Sequence, residues 1–140
     1  MDRGINPGLG LAILRIVLGV IFVAHGWPKF AAMSDVIGMF GSLGIPLPTV
    51  AAWGVALLET VGGLLLIAGL FVTPVAALLA IHMIAGIFLV HLANGFYVIG
   101  EGAGGIEFNL ILAAGLFVMI FVGAGSWALQ ERFAKEVVKA

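Results

Sequence analysis

"VALLETVGGLLLIAGLF", residues 55–71, is a run of hydrocarbon side chains broken by one carboxylate, Glu59, with Thr60 beside it. The length of the apolar run around it decides the fold. A helix needs about 20 apolar residues to cross a hydrocarbon core of roughly 30 Å, and this run extends from Val50 to Val72. It lacks the alternation of polar and apolar residues that a barrel strand requires, which leaves a membrane helix as the spanning solution. Three more runs of the same kind occur, Leu9 to Trp27, Pro74 to Ala93 and Glu107 to about Ser126. The expected fold is all-α, an integral membrane four-helix antiparallel bundle forming one transmembrane domain over residues 1–140.

Composition agrees. Hydrophobic residues make up 63% of the chain and charged ones 9%, where a soluble domain carries roughly a quarter charged. The net charge is -1 and the few Lys and Arg are scattered, so the clustered basic surface that nucleic acid demands is absent and nucleic acid is excluded as a partner. The chain has no Cys. Thiolate nucleophiles, Cys-ligated zinc and iron–sulfur clusters are thereby ruled out, and any redox chemistry must use a bound group.

Arg3 before an apolar run has the outline of a secretory signal, but Arg15 inside that run and the lack of a small-x-small site argue for a retained helix. Arg3, Arg132, Lys135 and Lys139 flank the first and fourth segments, against Lys29 alone on the opposite side. Both termini are therefore expected in the cytoplasm, with the protein in the cytoplasmic membrane.

The links are informative. In "GLFVTPV", residues 69–75, Thr73 is expected to cap the next helix and Pro74 to take its first position. In "PKFAAMSDVIGMFGSLGIPLP", residues 28–48, Ser34 and Asp35 offer an N-cap. Val36, Ile37, Met39 and Phe40 would then line one side of a short interfacial helix that Pro46 and Pro48 end. "NGFYVIGEGAGG", residues 94–105, reads as a mobile extracytoplasmic loop carrying Phe96, Tyr97 and Glu101. Trp27, Lys29 and Trp127 read as interface anchors.

Ionisable groups inside spans cost several kcal/mol, so each is a candidate functional residue. Arg15 and Gly19, Glu59 and Gly63, and His82 and Gly86 each lie four apart, which puts every such group on a small-residue face able to approach a neighbouring helix. Helical rise places Arg15 roughly 10 Å, His82 about 12 Å and Glu59 about 18 Å from the cytoplasmic ends of their helices. Arg15 is expected to pair with Glu59, and His82 to join their layer. His25, His91, Asn94, Glu107 and Asn109 form a second layer within roughly 5 Å of the other ends, with Phe22 and Leu89 between the layers. His82 and His91, nine residues apart at 100° each, fall on opposite faces and are not expected to share a ligand.

Each group also has a plainer reading: an Arg15–Glu59 tether, interfacial solvation of His25 and His91, and Glu107 and Asn109 as helix-start residues. His25 and His91 could ligate haem between two helices, and with Glu107 they have the donor types of a metal site. Nothing in the spacing requires either, and no metal is assigned.

Three segments, "LRIVLGVIFVAHGWPKF", "GIPLPTVAAWGVALLETVGGLLLIAGL" and "NLILAAGLFVMIFVGAGSWALQERF", together resemble the DoxX family of small four-helix membrane proteins, over about Leu9 to Phe133. The resemblance implies a bacterial or archaeal cytoplasmic-membrane protein. The family is named for a subunit of a quinone-linked thiosulfate oxidoreductase, and other members are associated with oxidative or electrophile stress and membrane redox complexes. Arg15, His25 and Glu59 match the family's polar positions. The expected function is a subunit of a quinone-linked redox system, with catalytic residues Glu59, Arg15 and His25. His82, His91, Asn94, Glu107 and Asn109 are the expected ligand-binding residues. A quinone would enter from lipid, its carbonyls meeting His25, His91 or Arg15 while Glu59 handles protons. With no nucleotide-binding fingerprint, electrons must come from a partner subunit, and a homo-oligomer is the other association considered. The alternative is a lipophilic-ligand binder or assembly protein without catalytic activity.

Overall fold

The computed structural model describes residues 6–100 and 104–139, with side chains as far as residue 134; Arg3, Glu101 and the side chains of Lys135 and Lys139 lie outside that description. The described residues are helical, without strands. The helices are α1 (Pro7–Ala31), α2 (Met33–Ser42), α3 (Pro48–Ala68), α4 (Val72–Gly86), α5 (Glu107–Val122) and α6 (Leu129–Lys139). α4 continues through a π-helical turn, Ile87–His91, and a 3₁₀ turn, Leu92–Asn94. Among the described residues, three helices are long and apolar enough to cross a membrane: α1, α3 and the continuous stretch Val72–Asn94.

α5, expected to reach Ser126, stops at Val122 after 16 residues. Gly123 and Gly125, with φ of +98° and +72°, break it. Its 16 residues rise about 24 Å, short of a full hydrocarbon core. α6 was not anticipated.

Several boundaries depart from the expected ones for local reasons. α1 starts where the Asn6 side chain accepts from Leu9 N at 3.2 Å with Pro7 at the first helical position. It then runs through Pro28 to Ala31 instead of stopping at Trp27. An internal proline removes one backbone hydrogen bond, which a long packed helix can absorb. α2 begins at Met33 after Ala32, so Ser34 and Asp35 make no capping bond. Its residue Phe40 is buried, so this helix is more than a surface element.

α3 ends in a Schellman turn: Gly69 (φ +72°) donates to Leu66 O at 3.1 Å and Leu70 to Leu65 O at 3.0 Å. α4 starts at once from Phe71, so Thr73 and Pro74 lie inside its first turn and Thr73 does not cap it. The cap comes from far along the chain, since Val72 N donates to Gln130 Oε1 at 3.1 Å.

Glycines set the closest approaches. A Cβ on Gly19 would lie 2.6 Å from Gly63 O, and one on Gly63 the same distance from Gly19 O. Gly26 meets Glu59 and Thr60 as tightly, so α1 lies on α3 with its backbone nearly in contact. Leu18, Phe22, Leu66, Leu79, Met83, Leu112 and Leu116 belong to the core between α1, α3, α4 and α5. Ile13, Val17, Leu57, Leu64, Leu78 and Ile111 point outward, as a lipid-facing surface requires.

The loop after Asn94 is cross-tied. Gly104 N donates to Val98 O, Gly105 N to Tyr97 O, Ile106 N to Gly95 O and Glu107 N to Phe96 O, all at 3.0–3.1 Å. Glu107 Oε1 accepts from Val98 N at 2.7 Å.

Candidate functional site

α1, α2, α3, α5 and the α4–π segment enclose a cavity of about 300 Å³, at the lower end of the usual range for small-molecule sites. Ile21, Phe22, Val55, Met83, Phe108 and Leu112 give it apolar walls. All three histidines reach it, with Lys29, Glu59 and Asn109.

Glu59 is the centre of the polar wall. Its Oε2 is ion-paired with Lys29, whose Nζ also donates to His25 O at 2.8 Å. Its Oε1 accepts from His82 Nε2 at 2.8 Å. The Glu59 side chain is 6% exposed, Lys29 22% and His82 18%. The carboxylate is therefore charge-compensated and bonded on both oxygens, the condition under which a buried charge is tolerated.

The other wall is built by the π-helical turn. Leu92 N donates to Ile87 O, an i→i+5 bond, and each such turn takes roughly one residue more than an α turn, so the angle per residue falls to about 80°. His91 is thereby carried round to the cavity that His82 also lines. This corrects the expectation of opposite faces, which assumed an unbroken α ladder. His91 Nδ1 donates to Gly104 O at 2.5 Å, which leaves Nε2 as an acceptor. Asn109 is buried and donates from Nδ2 to Met83 O at 3.3 Å. The His25 ring lies 5.6 Å from Phe108.

The expected Arg15–Glu59 pair does not form. Arg15 is buried with its guanidinium donating to Leu66 O at 2.6 Å, Ile67 O at 2.9 Å, Ala124 O at 3.0 Å and Ser126 O at 3.3 Å. The last carbonyls of a helix lack intrahelical partners, so the end of α3 and the unwound segment after α5 present Arg15 with acceptors nearer than any carboxylate. Leu66 is seven residues from Glu59, about 10 Å along the helix. Arg15 is thus a clamp between two segments and lies away from the cavity.

The two expected polar layers are redistributed. Glu59, His82, His25, His91 and Asn109 share one cavity, while Asn94 and Glu107 belong to the loop, Asn94 Nδ2 at 3.5 Å from Gly104 O and Glu107 on Val98 N. The grouping of His25, His91 and Glu107 is therefore not assembled. Lys29, read as an interface anchor, is the residue the sequence reading missed. The signal was present: Lys29 follows His25 by four, the spacing of neighbours on one helix face. Taking Pro28 as the end of α1 hid it. Met39 and Phe40 of α2 also line the cavity.

Fold and site define an all-helical membrane protein whose spans enclose an apolar cavity with one compensated acid. The chain belongs to the DoxX family, whose model matches residues 10–92. It is 35% identical over 90% of its length to an uncharacterised protein of Haemophilus influenzae, 92% of which is covered. It is 34% identical to "Putative oxidoreductase CatD" of Bacillus subtilis, over 87% of this chain and 85% of that one. It is 27% identical to the inner membrane protein YphA of Escherichia coli, over 94% and 95%. No solved structure matches.

Proposed function

We propose that this protein is a quinone-binding subunit of a membrane redox system, with residues 1–140 folded as one transmembrane domain. In this reading α5 completes a four-helix antiparallel bundle with α1, α3 and α4. The contacts of Arg15 with Leu66, Gly19 with Gly63 and Gly26 with Glu59 support opposed directions for α1 and α3. Both termini lie in the cytoplasm of a bacterial cell, and the loop at residues 95–106 lies on the far side.

One observation carries the reading: a mainly apolar cavity in which Glu59 is held between Lys29 and His82. One carboxylate balances one ammonium, so the wall as a whole favours neither an anion nor a cation. A neutral ring with oxygen acceptors fits it, since Lys29 and the imidazoles supply donors and the walls take the ring and tail. Reduction of a quinone consumes protons, and the hydrogen-bonded Glu59–His82 pair is of the type that delivers them. Quinone supplies the electron chemistry when bound, and a partner subunit supplies the electrons. The name of the Bacillus subtilis relative, "Putative oxidoreductase CatD", supports the same class of chemistry.

The test is to purify the protein from membranes, record its absorption spectrum, then extract it with organic solvent and identify what is released by mass spectrometry. A quinone near one per chain, absent from Glu59→Gln, is the expected result. A Soret band would assign haem instead, and a phospholipid or other lipophile alone would favour ligand binding without catalysis. Protein that releases no quinone and takes up none when it is added back refutes the proposal.

A further inference from the structure

α6 begins in a fixed place. Ala128 is buried, and a Cβ on Gly69 would lie 2.6 Å from Ala128 Cα. Gln130 N donates to Gly69 O at 3.0 Å, and Gln130 Oε1 accepts from Val72 N at 3.1 Å. The first turn of α6 is thus bolted to the turn between α3 and α4. That turn joins two membrane-length helices, so it lies where the hydrocarbon ends, and α6 starts at the same level.

The side chains around this junction are apolar and uncovered. Phe71, in the α3–α4 turn, is 67% exposed, Trp127 is 66% exposed and Phe133 is 56% exposed, with Leu129 beside them at 36%. Leu129 and Phe133 are four apart and share a face of α6; of the two exposed charged residues, Glu131 lies opposite that face and Arg132 at its edge. An apolar face carrying Leu129 and Phe133, with Glu131 opposite it, in a helix too polar to span, is the pattern of a helix lying in the membrane plane, and Trp127 just before it adds an interfacial aromatic.

We propose that α6 is an in-plane helix seated at the headgroup–acyl boundary of the leaflet beside the α3–α4 turn, with Phe71, Trp127, Leu129 and Phe133 inserted in lipid. The patch sits at the turn that joins two helices of membrane length and is held there by Gln130, so the occupant it fits is the same bilayer. Because Gln130 also caps α4, the seating fixes the depth of the hairpin as well as that of α6. Nothing in this depends on what the cavity binds.

The experiment is depth-resolved quenching. The full chain carrying Trp27→Phe and Trp53→Phe, with Trp127 as sole reporter, is reconstituted in phosphatidylcholine–phosphatidylglycerol vesicles containing lipids brominated near the headgroup or near the chain end. Shallow bromines should quench Trp127 at least twofold more strongly than deep ones, and aqueous iodide should quench weakly. Phe133→Asp should raise iodide quenching about threefold while the thermal midpoint stays unchanged. Emission open to iodide and blind to bromine would overturn the proposal and place α6 in water. Shielding from both quenchers would overturn it too, in favour of a second copy or another protein on this face. Stronger quenching by deep bromines would overturn it by placing Trp127 in the hydrocarbon core.

Discussion

Glu59 and Lys29 form a pair whose partners are unequally buried, 6% and 22% exposed, and a double-mutant cycle should report that inequality. Lys29→Met leaves the carboxylate in place with His82 as its remaining partner. Removing one member of a buried pair costs about 3–5 kcal/mol, and with the Glu59 side chain only 6% exposed the loss should be about 3 kcal/mol. Glu59→Gln leaves an ammonium on a long stem that can extend toward solvent, and the amide still accepts from His82, so the loss should be about 1.5 kcal/mol. Replacing both removes the uncompensated charge, and the double variant should lie within about 1 kcal/mol of the parent, since an apolar substitute for a buried pair is often near neutral. At roughly 3–4 °C per kcal/mol for a chain of this size, thermal unfolding in one detergent would show drops of about 10 °C, 5 °C and 3 °C. Strictly additive losses would refute the coupling. A Glu59→Gln loss larger than that of Lys29→Met would refute the argument from burial.

Three further outcomes follow from the packing. Gly63→Ala places a Cβ 2.6 Å from Gly19 O and should cost about 2–3 kcal/mol by overpacking; Gly54→Ala, with nothing within 4 Å of its Cβ, should leave thermal stability unchanged or raised. Arg15→Met removes four hydrogen bonds to carbonyls. At roughly 0.6 to 1.5 kcal/mol each in a membrane setting, the loss should be about 3 kcal/mol. Hydrogen exchange should show it as faster opening at residues 66–70 and 123–128, with the cavity ligand retained. Gln130→Ala takes the acceptor from Val72 N, and a loss of about 1 kcal/mol, read by thermal unfolding, should be restored in part by Gln130→Glu.

Three of the four spans were legible because continuous apolarity over about 20 residues admits few structures, and the glycine spacing marked faces on which helices meet. The errors share one physical origin. Depth and facing follow from residue spacing only where a helix is an ideal rod ending where its apolar run ends, and each departure from that rod moves a polar group. Pro28 inside α1 carried Lys29 into the site, and the unwound segment after Val122 gave Arg15 its carbonyls. The π-helical turn brought His91 to the cavity that His82 also lines. The residues that would meet were visible by type, but their pairing depended on helix ends and ladder defects to which hydropathy is blind.

The π-helical turn at Ile87–His91 also behaves as a built-in frameshift. It holds roughly one residue more than an α turn would need, so removing one aliphatic residue from the turn lets an ordinary α ladder carry everything beyond it at the same facing, eight steps of 100° from His82 in place of four at 100° and five at about 80°. His91 would then keep its facing toward the cavity, whereas losing one residue between His82 and Gly86, with the π turn kept, would rotate it by about 100° and break its tie to Gly104. The π turn is thus a slack residue in the span: a one-residue loss inside it spares this wall of the site and the same loss a turn earlier displaces it, and sequences aligned on hydrophobicity alone would conceal the difference.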